Sequence, residues 1–329
     1  LNANSQINVA FGSAQGDDLF DVGGTLALDG KLNVSSFGDT GPGLYHVFRY
    51  GNYSGNNIAV GTLPTGQDVS QTHVYNDTVN REVILVNANG AILNFWDGPN
   101  GTDSDQLVGG DGIWNLTNNN WTQDRAFLIH GHWAEGEFAI FGGNAGKVQV
   151  DNSSGRIYAN GMQFLVSDYE IASLTTDDVL TLTEDPSLGT KPIIRVGSGH
   201  DTDSSRIATI SAIIGGTDGM QKTFSGTLVL TGANTYSGDT DVKGGVLQVG
   251  DGGTSGSILG AVNVDDSAIF AFKRSDNITF VGMIAGEGSV VQKGSGSLTL
   301  TGANSFSGGL TVESGTVEAG NEGTVLGTG

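Results

Sequence analysis

Along most of this chain apolar residues recur at every second position for three to five residues and then stop. Segments 25–28, 31–34, 147–150, 180–183, 227–231, 246–249 and 297–301 each carry apolar side chains at i and i+2, the spacing that puts them on one face of a β-strand. Between these runs stand Gly, Asn, Asp and Ser, the residues that turn a chain. No amphipathic helical period extends beyond two turns. The pattern predicts an all-β protein.

One stretch repeats. GTLVLTGANTYSGDTDVKGGVLQVG, from Gly226, returns seventy residues later as GSLTLTGANSFSGGLTVESGTVEAG, from Gly296, with twelve of twenty-five positions identical. Self-similarity at a fixed offset marks an architecture whose units bury their apolar faces by stacking on neighbours. Read as three coils of about 23 residues, the offset fits a parallel β-helix with three short strands per coil. At about 4.8 Å per coil, fourteen coils make a rod on the order of 70 Å long. Leu228, Leu230, Val242, Val246, Leu247 and Val249 are the expected inward stack, with one of the adjacent pair Val246 and Leu247 turned outward. Asn234 and Asn304 fall at matching turns, where a left-handed backbone is expected rather than an inward-bonded side chain.

The chain divides into three stretches of one continuous solenoid. Residues 1–94 read as irregular coils with a tyrosine-rich insert, residues 95–206 as a tryptophan-bearing segment continuing into regular strands, and residues 207–329 as regular repeats.

Composition narrows the partners. Asp and Glu number 35 against 14 Lys and Arg, a net charge of −21, which repels nucleic-acid phosphates and anionic bilayers. Nucleic-acid binding is excluded on that ground. There is no cysteine, which suits passage through an oxidising compartment because no disulfide locks an intermediate. No apolar run reaches the roughly 20 residues that span a bilayer, and no signal peptide is expected at the start.

The motif L-x-L-T-G-A-N-[TS]-[YF]-S-G, followed by a strand and G-G-x-[LV]-x-[VA]-G, resembles the passenger-associated repeat of bacterial autotransporters (type V secretion). Its lead-in, GEGSVVQK, is present at 286–293. The middle of the chain is also similar to large autotransporter passengers, through F-W-D-G at 95–98, G-x-W at 112–114, Asn120-Trp121, Trp133, F-G-G-x-A-G at 141–146 and G-M-Q-F at 161–164. The resemblance implies a right-handed parallel β-helix carried to the cell surface by a C-terminal β-barrel. No barrel strands are expected here, so the residues read as a passenger fragment whose link to a membrane would be a barrel outside this sequence.

Catalytic motifs are wanting. No G-x-S-x-G or G-D-S-G is present, and the nearest look-alike, 199–204, lacks the glycine after its serine. The pairs Asp177-Asp178 and Asp265-Asp266 are adjacent, so on a strand they point to opposite faces instead of cooperating. His130, His132 and Glu135 carry metal-ligand atoms but lack a third His or Cys, and the acidic loop with Asp103, Asp105 and Asp111 reads as a solvated turn rather than a calcium site. Neither cofactor nor metal is expected, and the chain reads as a non-enzyme.

Recognition falls to the aromatics. Tyr45, Tyr50 and Tyr53 in a Gly-rich insert are expected to be exposed, as loops on a rigid scaffold carry function. Trp114, Trp121 and Trp133 offer large rigid contact area, with filling of a swollen solenoid core as the alternative. The function expected is an adhesin whose side surface binds a host extracellular-matrix protein or surface glycan, or a like chain. The alternatives are a carbohydrate-active enzyme and a passive stalk.

Overall fold

The computed structural model describes residues 1–12, 20–37, 41–78, 80–99, 107–123, 130–185, 189–199 and 201–320. Among them there is no α-helix, and the two helical turns, Val69–Gln71 and Asp201–Ser205, are 3-10. The expected all-β class stands. From Gly112–Trp114 to Leu310–Val312, nine strands stack in one parallel ladder, each hydrogen-bonded to the next coil. A second sheet of twelve strands runs from His130–Gly131 to Ile284–Ala285, and a third stacks Ile278–Phe280, Ser297–Leu300 and Thr316–Ala319.

Alternation explains the core. In Val246–Val249 the side chains of Leu247 and Val249 are buried while Val246 is half-buried, and Leu228, Leu247, Phe270 and Val290 follow one another in register. One apolar cluster runs continuously from Trp96 to Phe306. Phe270, Phe272 and Phe280 pack edge-on or tilted, with centroids 4.6 to 5.8 Å apart, the geometry that aromatic quadrupoles favour.

The coil period differs from the sequence reading. Thr227, Val246, Ile269 and Ser289 are stacked partners, giving coils of 19, 23 and 20 residues. Three coils from Thr227 therefore end at Ser289, short of its repeat counterpart Ser297. Thr227–Leu230 lies in the nine-stranded ladder, but Ser297–Leu300 lies in the third sheet. Likewise Met220–Thr223 belongs to the twelve-stranded sheet and its counterpart Ser289–Gln292 to the nine-stranded one. The seventy-residue unit thus advances three coils and one face.

Asn234 and Asn304 also depart from expectation. Neither has a positive φ, and both side chains are buried. Asn234 Oδ1 accepts from Ile214 N, 2.9 Å, in the preceding coil, and its Nδ2 donates to Ser257 O, 2.9 Å, in the following one. Asn304 Oδ1 accepts from Ile284 N at 2.9 Å. A buried corner leaves backbone groups that must be paired, and the amide supplies what a turn conformation alone would not.

Residues 1–87 do not extend these ladders, so the fourteen-coil stack is not what forms. They make a parallel three-stranded sheet of Gln6–Ala10, Lys31–Ser36 and Ala59–Val60, and a four-stranded sheet of Phe20–Leu28, Gly43–Gly55, Glu82–Asn87 and Thr72–Asp77. The last two pairings in that sheet are antiparallel. Its inner face has its own core, which meets the solenoid at Phe224.

Candidate functional site

The strand Gly43–Gly55 holds the tyrosines that were expected to project into solvent. It pairs on one edge with Phe20–Leu28 and on the other with Glu82–Asn87, so alternate side chains enter the core. Tyr45 and Tyr50 are buried, and Tyr53 is half-buried against Tyr50 with ring centroids 5.4 Å apart. Tyr50 Oη donates to Asn76 Oδ1 at 2.7 Å and Tyr53 Oη to Asn56 O at 2.7 Å; burial raises both phenol pKa values. The glycines that suggested a loop are instead carried inside a strand paired on both edges.

The tryptophans are interior as well. Trp96, Trp114, Trp121 and Trp133 are at most 2% exposed. Trp114 and Trp121 meet edge to face at 5.0 Å, and Trp114 and Trp133 at 4.7 Å. Trp96 Nε1 donates to Gly110 O and Trp133 Nε1 to Tyr158 O. They fill the solenoid core at its first coils, so none of the six aromatics is available as a wide contact face.

The other sequence candidates resolve into local structure. His130 Nε2 lies 3.4 Å from Asp97 Oδ2, and burial raises the Asp97 pKa against the opposing pull of the Val108 and Gly109 amides and His130. His132 and Glu135 are exposed, and the described residues contain no group of three or more His, Cys, Asp and Glu able to hold a metal. Asp103 and Asp105 lie outside the described residues. In the serine look-alike, Asp203 Oδ2 accepts from Ser198 N and Gly199 N, both 2.7 Å, and its Oδ1 meets Arg206 Nε at 3.0 Å; the carboxylate folds a turn. Asp178 does the same, accepting from Asn152 N and Thr175 N at 2.7 Å.

Sequence reasoning missed a broad groove. The strands Thr72–Asp77 and Glu82–Asn87 form a hairpin whose two faces go different ways. Val74, Val83 and Leu85 point to the N-terminal core. His73, Tyr75 and Asp77, with Glu82, Ile84 and Val86, face a groove of about 880 Å³. The opposite wall is the solenoid: Leu93 and Phe95, the turn 142–144, Leu165, Val166 and Arg206. Its base is apolar, since Leu44, Ile84, Val86, Ala91 and Phe95 pack with Phe138, Ile140 and Ile193. The alternation in HVY and the short apolar run in EVILVN, on either side of a polar turn, were the available signal.

Three devices hold the walls apart at fixed spacing. Gln163 is buried and clamps the backbone of Leu44, its Oε1 accepting from Leu44 N and its Nε2 donating to Leu44 O, both 2.9 Å, and to Gly197 O at 2.9 Å. Arg195 is fully buried with its guanidinium 5.0 Å from the Tyr45 ring, 5.2 Å from Phe224 and 5.8 Å from Phe138; burial lowers its pKa. The hairpin crosses to the solenoid through residues 88–92, where Asn89 (φ 45°) and Gly90 (φ 90°) take left-handed conformations that glycine adopts freely and asparagine tolerates.

Beside the groove, across Gly90, Ala91 and Ile92, lies a shallower recess of about 400 Å³ lined by Glu135, Tyr158, Asn160, Thr183 and Asp185. Ile92 stands half-exposed on the crest between them. Deeper in the solenoid wall, Glu137 is buried, accepting from Gln123 Nε2 at 2.7 Å and Ala134 N at 3.2 Å, with Asn94 Nδ2 alongside at 2.5 Å. Burial raises its pKa.

Comparison with known proteins agrees with the repeat. The passenger-associated-transport-repeat family matches residues 221–249 and 290–319. A protein of Brucella suis biovar 1 (strain 1330), named adhesin BmaC autotransporter, is 36% identical over 344 aligned positions that cover 97% of this chain. The chain spans about a tenth of that relative's length. No solved structure matches the chain.

Proposed function

The chain belongs to the autotransporter passengers that carry passenger-associated transport repeats, and from that premise we propose that it is an adhesive passenger binding its partner in the groove between the 72–87 hairpin and the solenoid. The scaffold is read as a right-handed, three-faced β-helix displayed outside the bacterial cell or released from it. The partner is a host extracellular-matrix protein; binding of a surface glycan or of a like chain is the competing outcome.

A single observation carries the reading: the 880 Å³ groove is apolar at its base, polar at its rim, and built where the chain leaves the regular coil pattern. Pockets of this size and character are where ligands bind. The regular repeats, by contrast, use the asparagines of their recurring T-G-A-N turns for corners and coil contacts. The name of the relative, an adhesin, supports a binding rather than catalytic role.

The test is binding of the purified chain to host cells and to matrix-coated surfaces. Asn144 is exposed on the groove wall, so Asn144→Trp fills the groove without entering the core. Micromolar binding by the native chain, weakened at least about tenfold by Asn144→Trp (~1.4 kcal/mol) with an unchanged melting temperature, is expected. Equal binding by both proteins, or no binding by either, overturns the reading.

A further inference from the structure

We propose that the groove takes an extended peptide segment, apolar at alternate positions and basic where it passes Asp77 and Glu82; the assignment rests on the groove being the binding site. The first argument is the chemistry of the lining. Its base and flanks are aliphatic, with Leu44, Ile84, Val86, Ala91, Leu93 and Leu165. Sugar recognition depends on exposed aromatic platforms amid many polar groups. Among the described lining residues, Tyr75 is half-buried and Phe95 buried, while all four tryptophans are inside the solenoid. An aliphatic trough of this kind matches Val, Ile and Leu side chains better than a pyranose.

The second argument is spacing. One flank is a β-strand presenting His73, Tyr75 and Asp77 at every second residue, a repeat of about 6.8 Å. A peptide in extended conformation presents its own alternate side chains at the same interval, so its apolar side enters the trough in step with the wall. From His73 to Asp77 the strand runs about 14 Å, enough to accompany about five residues. The exposed side-chain amide of Asn144, on the opposite rim, offers a donor and an acceptor to the peptide backbone, and Gln123, whose Nε2 donates to Glu137, adds its Oε1 as an acceptor.

The third argument is charge. Asp77 and Glu82 sit opposite each other across the hairpin, and both line the groove; they contribute as net charge, since Asp77 Oδ1 accepts from Asn80 N at 2.9 Å and Glu82 Oε1 lies 3.9 Å from His46 Nε2. Arg206, the guanidinium in the lining, is already engaged with Asp203 at 3.0 Å and with Leu165 O. The groove therefore presents more anionic than cationic character, on a molecule of net charge −21. That field speeds the approach of a basic segment and repels an acidic one.

The test is fluorescence anisotropy on the full chain at physiological salt, with a labelled, end-blocked heptapeptide alternating valine and lysine. A serine–lysine peptide keeps the charge and removes the apolar side; a valine–glutamate peptide reverses the charge. Hyaluronan hexasaccharide and dodecanoate represent glycan and acyl-chain occupants. The expected result is saturable valine–lysine binding, weakened about tenfold or more for each control peptide and for the native probe on Asn144→Trp. Binding that tolerates the serine–lysine or valine–glutamate change, or that survives Asn144→Trp, overturns the proposal. So does saturable hyaluronan or dodecanoate binding abolished by Asn144→Trp, which would put a glycan or an acyl chain in the groove. If the peptide fails while Asn144→Trp still abolishes matrix binding, the peptide assignment falls and the groove reading stands; if matrix binding is also indifferent to Asn144→Trp, both fall.

Discussion

Lys222 and Gln292 show how one residue position does the same work on two different faces. They are separated by the seventy-residue repeat, and both side chains reach forward to cap turn carbonyls. Lys222 Nζ donates to Phe224 O at 2.5 Å, to Gly244 O at 2.8 Å and also to Gly226 O. Gln292 Nε2 donates to Gly294 O at 3.1 Å and Gly296 O at 3.0 Å. The lysine solution carries a pH signature. Complete burial pushes its pKa down to about 7, with the Asp203 charge pulling the other way. Since the unfolded chain holds that proton up to about 10.5, the unfolded state binds more protons between those values, and stability rises with pH across that window. Below pH 7 both states are protonated and the contribution to the slope vanishes. Lys222→Gln, which copies the counterpart, removes a slope of up to about 1.4 kcal/mol per pH unit. Denaturant melts of both proteins between pH 7 and pH 10 check this; parallel curves would refute it.

At the scale of elements, the strands of the solenoid were legible because alternation and turn residues agree there with the tertiary result. Leu228, Leu230, Leu247 and Val249 are buried as the pattern required. The N-terminal sheet was not, because its glycine-rich segment 43–55 reads as a loop while pairing on both sides overrides that local preference. A bulge between His46 and Phe48 adds to the difficulty by shifting register along the strand. The groove followed from that sheet and so was hidden with it. The Gln163 clamp on Leu44 is one of the contacts that fasten the sheet to the solenoid, beside the His46 N to Ser198 O hydrogen bond at 2.7 Å. In Gln163→Leu, Leu44 N, Leu44 O and Gly197 O each lose this buried partner, at a cost of about 1–3 kcal/mol per group. Hydrogen exchange should then quicken at least about tenfold in Gly43–Gly55 and Glu82–Asn87, while Thr227–Leu230 and Val246–Val249 stay protected. Uniform loss of protection along the chain, or none, would contradict a locally clamped sheet.

Across the whole molecule, the repeat turns out to be a device for stacking and not for lining up a surface. Sequence self-similarity reports an offset of seventy residues, but it carries no information on how many corners that offset contains, and coils of 19 to 23 residues make the count irregular. Because each unit advances by one face as well as three coils, equivalent outward residues wind around the axis. A row of identical contacts along one side is therefore not what the repeat supplies. The distinctive surface is where the regular coils meet the N-terminal sheet. This bears directly on the proposed adhesion: contact should centre on one groove rather than spread along the repeats. The most direct measurement places the photocrosslinking residue p-benzoylphenylalanine at Ser70, exposed at the groove rim, or, in a separate preparation, at Thr254 on an exposed turn of the repeats. Each protein is irradiated while bound to host cells or matrix. Covalent adducts from position 70 and none from position 254 are the predicted result. Adducts from position 254 alone, or equally from both, would contradict it.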